Sequence, residues 1–210
     1  MVVKPQTTAW KLLPNMELWS AANHQRRYML LMSGIWAMLS FGFYGFAMWT
    51  PELLSSRVGG SEHNLYLINF VIKLGNLPGN ILSIVAIDRV GRKVCLVASI
   101  VLSGCCVFGV LGVHTVMGST VFFAVFNSVS VVAWNALDVI GPELFATHLR
   151  AEAFGLQASV GRLFAILGNL SFGTFSGSDI AIPLALTGAS LVAGGILGLF
   201  LPETRARLVD

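Results

Sequence analysis

Charge is scarce in this sequence. Lysine, arginine, aspartate and glutamate make up 11% of its 210 residues, against about 25% in an ordinary soluble domain. That scarcity excludes a water-soluble globule, and 55% hydrophobic residues with a mean hydropathy of +0.77 make the chain an integral membrane protein. Cysteine is also sparse. Cys95, Cys105 and Cys106 all fall in one apolar run, where helical neighbours point apart, so they read as buried free thiols and say nothing of the redox compartment. Short segments of alternating polarity, which a β-barrel needs, are missing. So are a Walker loop, a nucleophile elbow and a paired-carboxylate constellation, which leaves an enzyme as a remote reading. His24, His63, His114 and His148 lie in four separate loops or ends, without metal-ligand spacing; neither metal nor cofactor is expected.

What is present is a series of apolar stretches close to the roughly 20 residues that span a bilayer. Six can be drawn, at about 28–50, 65–87, 94–113, 116–140, 151–175 and 180–201. Pro51-Glu52, residues 88–93, His114-Thr115, residues 141–150 and residues 176–179 separate them. The expected fold is all-α: residues 1–27 form a cytoplasmic N-terminal segment without a cleavable signal peptide, 28–201 a six-helix transmembrane bundle, and 202–210 a cytoplasmic tail. Placing both termini inside puts Lys4, Lys11, Arg26, Arg27, Arg89, Arg92, Lys93, Arg150, Arg205 and Arg207 on the cytoplasmic side and only Arg57 outside. That distribution follows the positive-inside tendency. The net charge is +3 and the pI about 9.0, but the basic residues sit at segment ends, so a lipid bilayer and not nucleic acid is the implied partner.

Ionisable and polar groups within the apolar stretches are costly and default to function. Trp134 and Asp138, four apart, share one helical face, with Asn135 beside them. Such a face can stack on a ligand, fix its hydrogen bonds and attract a cation. Two readings stand open for each: Trp134 as cavity wall or core packing, Asp138 as site or hydrated mouth. Arg162 lies twelve residues beyond Arg150, about 18 Å along a helix, which places it near mid-membrane as a pocket counter-ion or as a tie between neighbouring helices. Asn69, Lys73, Asn76, Asn80 and Ser83 recur at intervals of four, three, four and three, a polar stripe that must face protein or water. Pro78-Gly79 is expected to bend that helix. Gly155, Ser159 and Gly161, and Ser190, Gly194 and Gly198, read as small-residue packing surfaces.

The motifs between helices narrow the reading. Asp88-Arg89-Val90-Gly91-Arg92-Lys93, joining the second and third stretches, resembles the loop motif of the major facilitator superfamily, with Ile84 where that family often has glycine. Pro142-Glu143-Leu144-Phe145 with Arg150, and Leu201-Pro202-Glu203-Thr204-Arg205, resemble the cytoplasmic motifs of sugar-porter-like members. Ser40-Phe41-Gly42-Phe43-Tyr44-Gly45, Leu77-Pro78-Gly79-Asn80-Ile81 and Trp134-Asn135-Ala136-Leu137-Asp138-Val139 are similar to the synaptic vesicle glycoprotein 2 family, over a region corresponding to the second half of a twelve-helix transporter.

This resemblance implies a transporter of a small polar or charged organic solute, with a pocket drawn from Tyr44, Trp134, Asn135, Asp138, Arg162 and Phe43; the polar stripe adds Asn80 and Lys73, of which Lys73, like Asn76, departs from the family pattern. It also implies a cytoplasmic gating motif comprising Asp88, Arg89, Gly91, Arg92, Lys93, Glu143, Arg150, Glu203 and Arg205. Residues 51–64 form only a short loop where the vesicle glycoproteins carry a large luminal domain, and Asn169-Leu170-Ser171, the one glycosylation match, lies in an apolar stretch. A facilitator builds its site between two halves, so this half is expected to need a first six-helix half, or a full-length relative, to complete alternating access. The alternative is a half-length membrane protein that binds or regulates such a relative without transporting, or a truncated gene product.

Overall fold

The computed structural model describes residues 23–58, 62–175 and 180–204. Seven helices run through them: α1 (Asn23–Val58), α2 (Glu62–Leu74), α3 (Asn76–Val90), α4 (Arg92–Gly112), α5 (Val116–Leu144), α6 (Arg150–Phe175) and α7 (Ala181–Gly198). No strand occurs among the described residues. Five stretches are long and apolar enough to cross a membrane, Gln25–Ser55, Asn64–Val90, Arg92–Gly112, Val116–Leu144 and Ala181–Gly198. The sixth expected span is α6, whose 26 residues reach about 39 Å but whose Arg150, Glu152, Gln157, Arg162 and Asn169 lower its apolarity. Its length and its place in the bundle make it the remaining member of a six-span fold.

Proline explains three differences from the expected boundaries. The bend expected at Pro78-Gly79 falls instead at Gly75, the single residue between α2 and α3. Pro78 then sits in the first turn of α3, where its missing N–H was an orphan anyway. Pro51 and Pro142, expected to end their helices, lie inside α1 and α5. One proline removes one ladder bond, which neighbouring turns and packing can absorb within a membrane bundle; next to Pro51, the Thr50 hydroxyl donates to the Phe46 carbonyl at 3.0 Å.

Packing is organised by α1 and α5. α1 lies chiefly against α6 and α7, and α5 against α4 and α3, while α4 also packs on α7. Phe46 of α1 and Phe123 and Phe126 of α5 are fully buried and in ring contact, at 4.9 and 4.6 Å. Ser103 of α4 and Ser130 of α5 share a buried hydrogen bond of 3.0 Å, which satisfies two hydroxyls where water cannot. Glycine sets the closest approaches. A Cβ on Gly168 of α6 would collide with the Phe41 carbonyl of α1, and one on Gly79 of α3 with the Ser128 carbonyl of α5. Gly155, expected at a packing surface, instead faces open space, and Ser159 is exposed with its hydroxyl on the Gly155 carbonyl. Gly161 does pack, against Trp36 and Ser40, as do Gly194 and Gly198 against Met38 and Val97. Leucine and isoleucine side chains such as Ile81, Ile84, Leu163 and Ile166 are more than half exposed, as befits a surface turned to lipid or to further protein.

Candidate functional site

Three helix faces with four-residue spacing converge below the aromatic core. α1 contributes Trp36, Ser40 and Tyr44; α5 contributes Trp134 and Asp138; α6 contributes Phe154, Ala158 and Arg162, with Gly161 beside them. Together they line a cavity of about 240 Å³. Trp134 is its centre, edge-on to Trp36, Phe43 and Tyr44 with ring centroids 5.4, 5.9 and 6.2 Å away, and Phe154 stands perpendicular to Trp36 at 5.6 Å. The indole nitrogens of Trp36 and Trp134 are buried without a hydrogen-bond partner in the protein. Unmatched buried donors are costly, and these two have almost no exposed surface, so they belong to the packing around the cavity. Asp138 and Arg162 expose their side chains at the cavity edge, and among the described residues no ion pair joins them. The cavity thus offers aromatic faces, one carboxylate and one guanidinium.

Asn135 points the other way. Its amide nitrogen donates to Ser83 Oγ at 2.7 Å and to Asn80 Oδ1 at 3.1 Å, pinning α5 to the polar stripe of α3. A second cavity of about 400 Å³ opens there, lined by Ser83, Ile84, Ile87, Asp88, Asn135, Asp138 and Val139. Asp138 therefore belongs to the walls of both cavities. Of the eight residues expected at a pocket, Tyr44, Trp134, Asp138 and Arg162 line the first cavity and Asn135 the second. Phe43 backs the first, edge-on to Trp134 and stacked on Phe126, and Asn80 acts through Asn135. Lys73 stands apart: its ammonium donates to Asn127 Oδ1 at 3.4 Å and ties α2 to α5. Sequence reasoning missed Trp36 and Phe154. Their signal was available, because Trp36, Ser40 and Tyr44, and Phe154, Ala158 and Arg162, repeat the four-residue spacing that singled out Trp134 and Asp138.

Where α3 meets α4, the interhelical motifs form one cluster. Gly91 alone separates α3 from α4, at φ 116°, a backbone region that favours glycine. A Cβ there would also meet Glu203 Oε2 at 2.9 Å. Glu203 sits at the start of α4 and accepts the backbone N–H of Arg92 at 3.0 Å, a carboxylate on the positive end of a helix dipole. The Arg92 guanidinium reaches Glu143 at 3.3 Å and Asp88 at 3.9 Å. Arg150 donates to the Phe145 carbonyl at 3.0 Å and closes the turn from α5 to α6. Arg89 and Lys93 flank the same turn on α3 and α4, whereas Arg205 lies outside the described residues.

The comparisons with known proteins agree with this architecture. The family model for "Sugar (and other) transporter" matches residues 5–209. Synaptic vesicle glycoprotein 2B of Rattus norvegicus is 41% identical over 145 residues, 69% of this chain and 21% of that protein. Glycoprotein 2C of Mus musculus is 40% identical over 150 residues, 71% and 20% respectively, and glycoprotein 2A of Rattus norvegicus 35% identical over 152 residues, 72% and 20%. The matched region is about a fifth of the length of these relatives. A multi-pass helical bundle, the interhelical charge motifs and a match over nearly its whole length place the chain in the sugar transporter family of the major facilitator superfamily, a family of transporters and not of enzymes.

Proposed function

We propose that this chain forms the second half of a transporter that moves a small polar or charged organic solute across a membrane by alternating access, completed by a first six-helix half. The observation that carries the reading is the 240 Å³ cavity between α1, α5 and α6, in which Asp138 and Arg162 stand beside the rings of Trp36, Tyr44 and Trp134. A ligand with both an acceptor and a cationic or donor group answers the two charges. Tyr44, Trp134, Asp138 and Arg162 are the solute contacts in this reading, with Phe43 and Asn135 holding the walls. In this reading the cluster of Asp88, Gly91, Arg92, Glu143 and Glu203 is the cytoplasmic latch, and both ends of the bundle face the cytoplasm. Residues 28–201 are the transport bundle, flanked by the segments 1–27 and 202–210. The exposed polar edge of the cavity supports a first half, because a carboxylate and a guanidinium at mid-membrane need protein or water opposite them.

The test is uptake into proteoliposomes carrying the complete gene product, using a panel of radiolabelled sugars, organic cations and zwitterions. Asp138→Asn and Arg162→Ala are each expected to lower uptake at least about tenfold while leaving the detergent-solubilised protein monodisperse. Denaturing mass analysis belongs beside it, against the 22.5 kDa of this chain. A native product of that mass which binds a longer relative but carries no uptake in its presence would replace transport with regulation.

A further inference from the structure

The geometry points to a binding site for a small organic ammonium group between the end of α1 and the start of α2, apart from the solute cavity. Pro51, Glu52 and Ser55 of α1 and Leu65, Tyr66 and Asn69 of α2 line a cavity of about 260 Å³. None of these residues lines either of the cavities around Asp138, so the site does not rest on the transport reading. Spacing brings them together: Glu52 and Ser55 are three apart and Leu65 and Asn69 four apart, each pair on one helical face, while neighbouring Leu53, Leu54 and Ile72 are buried in the core. Glu52 is exposed, and Tyr66 is 74% exposed.

The hydrogen-bond inventory decides the occupant. The Ser55 hydroxyl donates to the Glu52 backbone carbonyl at 2.8 Å, and the Asn69 amide nitrogen donates to the Leu65 carbonyl at 3.0 Å. Donors of the site are thereby spent on the backbone, leaving Asn69 Oδ1, the Ser55 Oγ lone pairs and the Glu52 carboxylate as acceptors. Among the described residues no lysine or arginine lines the cavity, and Lys73, one turn beyond Asn69, is held by Asn127 Oδ1 of α5 at 3.4 Å. A carboxylate beside neutral acceptors attracts a cation that carries N–H donors, and the exposed ring of Tyr66 adds a face on which such a cation rests. Other occupants fit less of this chemistry. An anion meets Glu52 with no basic side chain in the lining to offset it. A calcium ion takes six to eight oxygens, more than one carboxylate, an amide and a hydroxyl supply, and no metal-holding cluster occurs among the described residues. A neutral polyol would use the acceptors and leave the carboxylate charge unanswered. Pro51 and Leu65 form an apolar wall for a carbon skeleton, so the ligand class is a primary amine with a short apolar substituent. The same ammonium occurs on free amines and on the headgroup of phosphatidylethanolamine.

The test is a saturation-transfer NMR titration of phenethylamine, protonated at neutral pH, into the complete gene product in phosphatidylcholine nanodiscs. It is made in the Asp138→Asn background, so that ammonium drawn to the solute cavity does not contribute. Saturable binding is expected, about fivefold weaker for the phenethyltrimethylammonium ion, which keeps the charge but has no N–H donor, and absent for phenethyl alcohol. Glu52→Gln should weaken phenethylamine binding about tenfold. Tyr66→Leu should weaken it about two- to fivefold, and Tyr66→Phe should leave it unchanged, because the ring face makes the contact. If the glutamine variant loses its monodisperse peak on size exclusion, Glu52→Asp replaces it and should give an intermediate loss. Equal binding of the amine and the neutral alcohol, or an unchanged affinity in a folded Glu52→Gln variant, overturns the inference. Repeating the titration in phosphatidylethanolamine nanodiscs fixes the source: an unchanged affinity supports a free amine and a lower one a lipid headgroup seated at Glu52, and either result agrees with an ammonium site.

Discussion

The Arg92 guanidinium lies 3.3 Å from Glu143 while its backbone N–H is held at 3.0 Å by Glu203. One residue thus fastens the last turn of α5 and the segment after α7 to the first turn of α4. The side chains of Arg92 and Glu143 are 20% and 29% exposed, so the pair is shielded from most solvent screening. Glu143→Gln should lower stability by about 1–2 kcal/mol, and Arg92→Ala by somewhat more, because it leaves the mostly buried Glu143 carboxylate without its counter-charge. Thermal unfolding in detergent, run as a double-mutant cycle, checks this; additive single effects would mean that the two charges do not couple.

Gly91 is expected to be the least replaceable residue of the same turn. Alanine there would hold a strained positive φ, about 1–3 kcal/mol, and press a methyl group on Glu203. The prediction is that Gly91→Ala with Glu203→Gly is more stable than Gly91→Ala corrected for the loss of Glu203 alone. No such rescue would place the whole cost in the backbone.

Two glycines of α6 should behave oppositely. Gly168→Ala must push α6 off the Phe41 carbonyl, an overpacking cost of about 1–3 kcal/mol. Gly155→Ala meets nothing within 4 Å and removes a flexible residue from a helix, so it should stabilise by a few tenths to about 1 kcal/mol. Melting temperatures of the two variants in one detergent decide it, and equal effects would contradict the packing described here.

Trp36→Phe separates the indole N–H from its ring area. The edge contacts with Trp134 and Phe154 persist, and an unmatched buried donor is removed, so stability should hold or rise slightly. Ligand affinity should fall about five- to tenfold if the N–H serves the solute, the worth of about one hydrogen bond. A clear loss of stability without a change in affinity would make Trp36 a structural residue.

Asn135→Ala should cost about 1–2 kcal/mol, because it unlinks α5 from both Ser83 and Asn80. Asn80→Ala removes the longer of those bonds and an exposed bond from its own amide to the Asn76 carbonyl, and keeps the shorter bond to Ser83, so it should cost less. Equal losses would mean that the bond to Asn80 carries the link.

Periodicity made much of this architecture legible beforehand. Twenty-residue apolar runs gave the spans, and the spacing of Trp134 to Asp138 found one wall of the cavity. The remainder depended on facts that spacing does not carry. Whether Pro51 ends a helix or rides inside it depends on what its neighbours pack against, and Gly155 and Gly168 look alike until the partner helix is in place. Trp36 escaped because tryptophan in an apolar run usually reads as packing or anchoring. Lys73 was drawn toward the pocket by its place in a polar stripe, but the break at Gly75 and a partner in Asn127 give it a separate role. The interhelical motifs were the most readable part, since a glycine between two charged helix ends has few alternatives.

Asp138 lines both cavities, and a single carboxylate has one negative charge to give. A cation drawn to it from the α3 side and a cationic group presented from the α1–α6 side therefore compete, each weakening the other's hold. In the transport reading, exchange of one for the other across this residue would need only that the two sides open in turn.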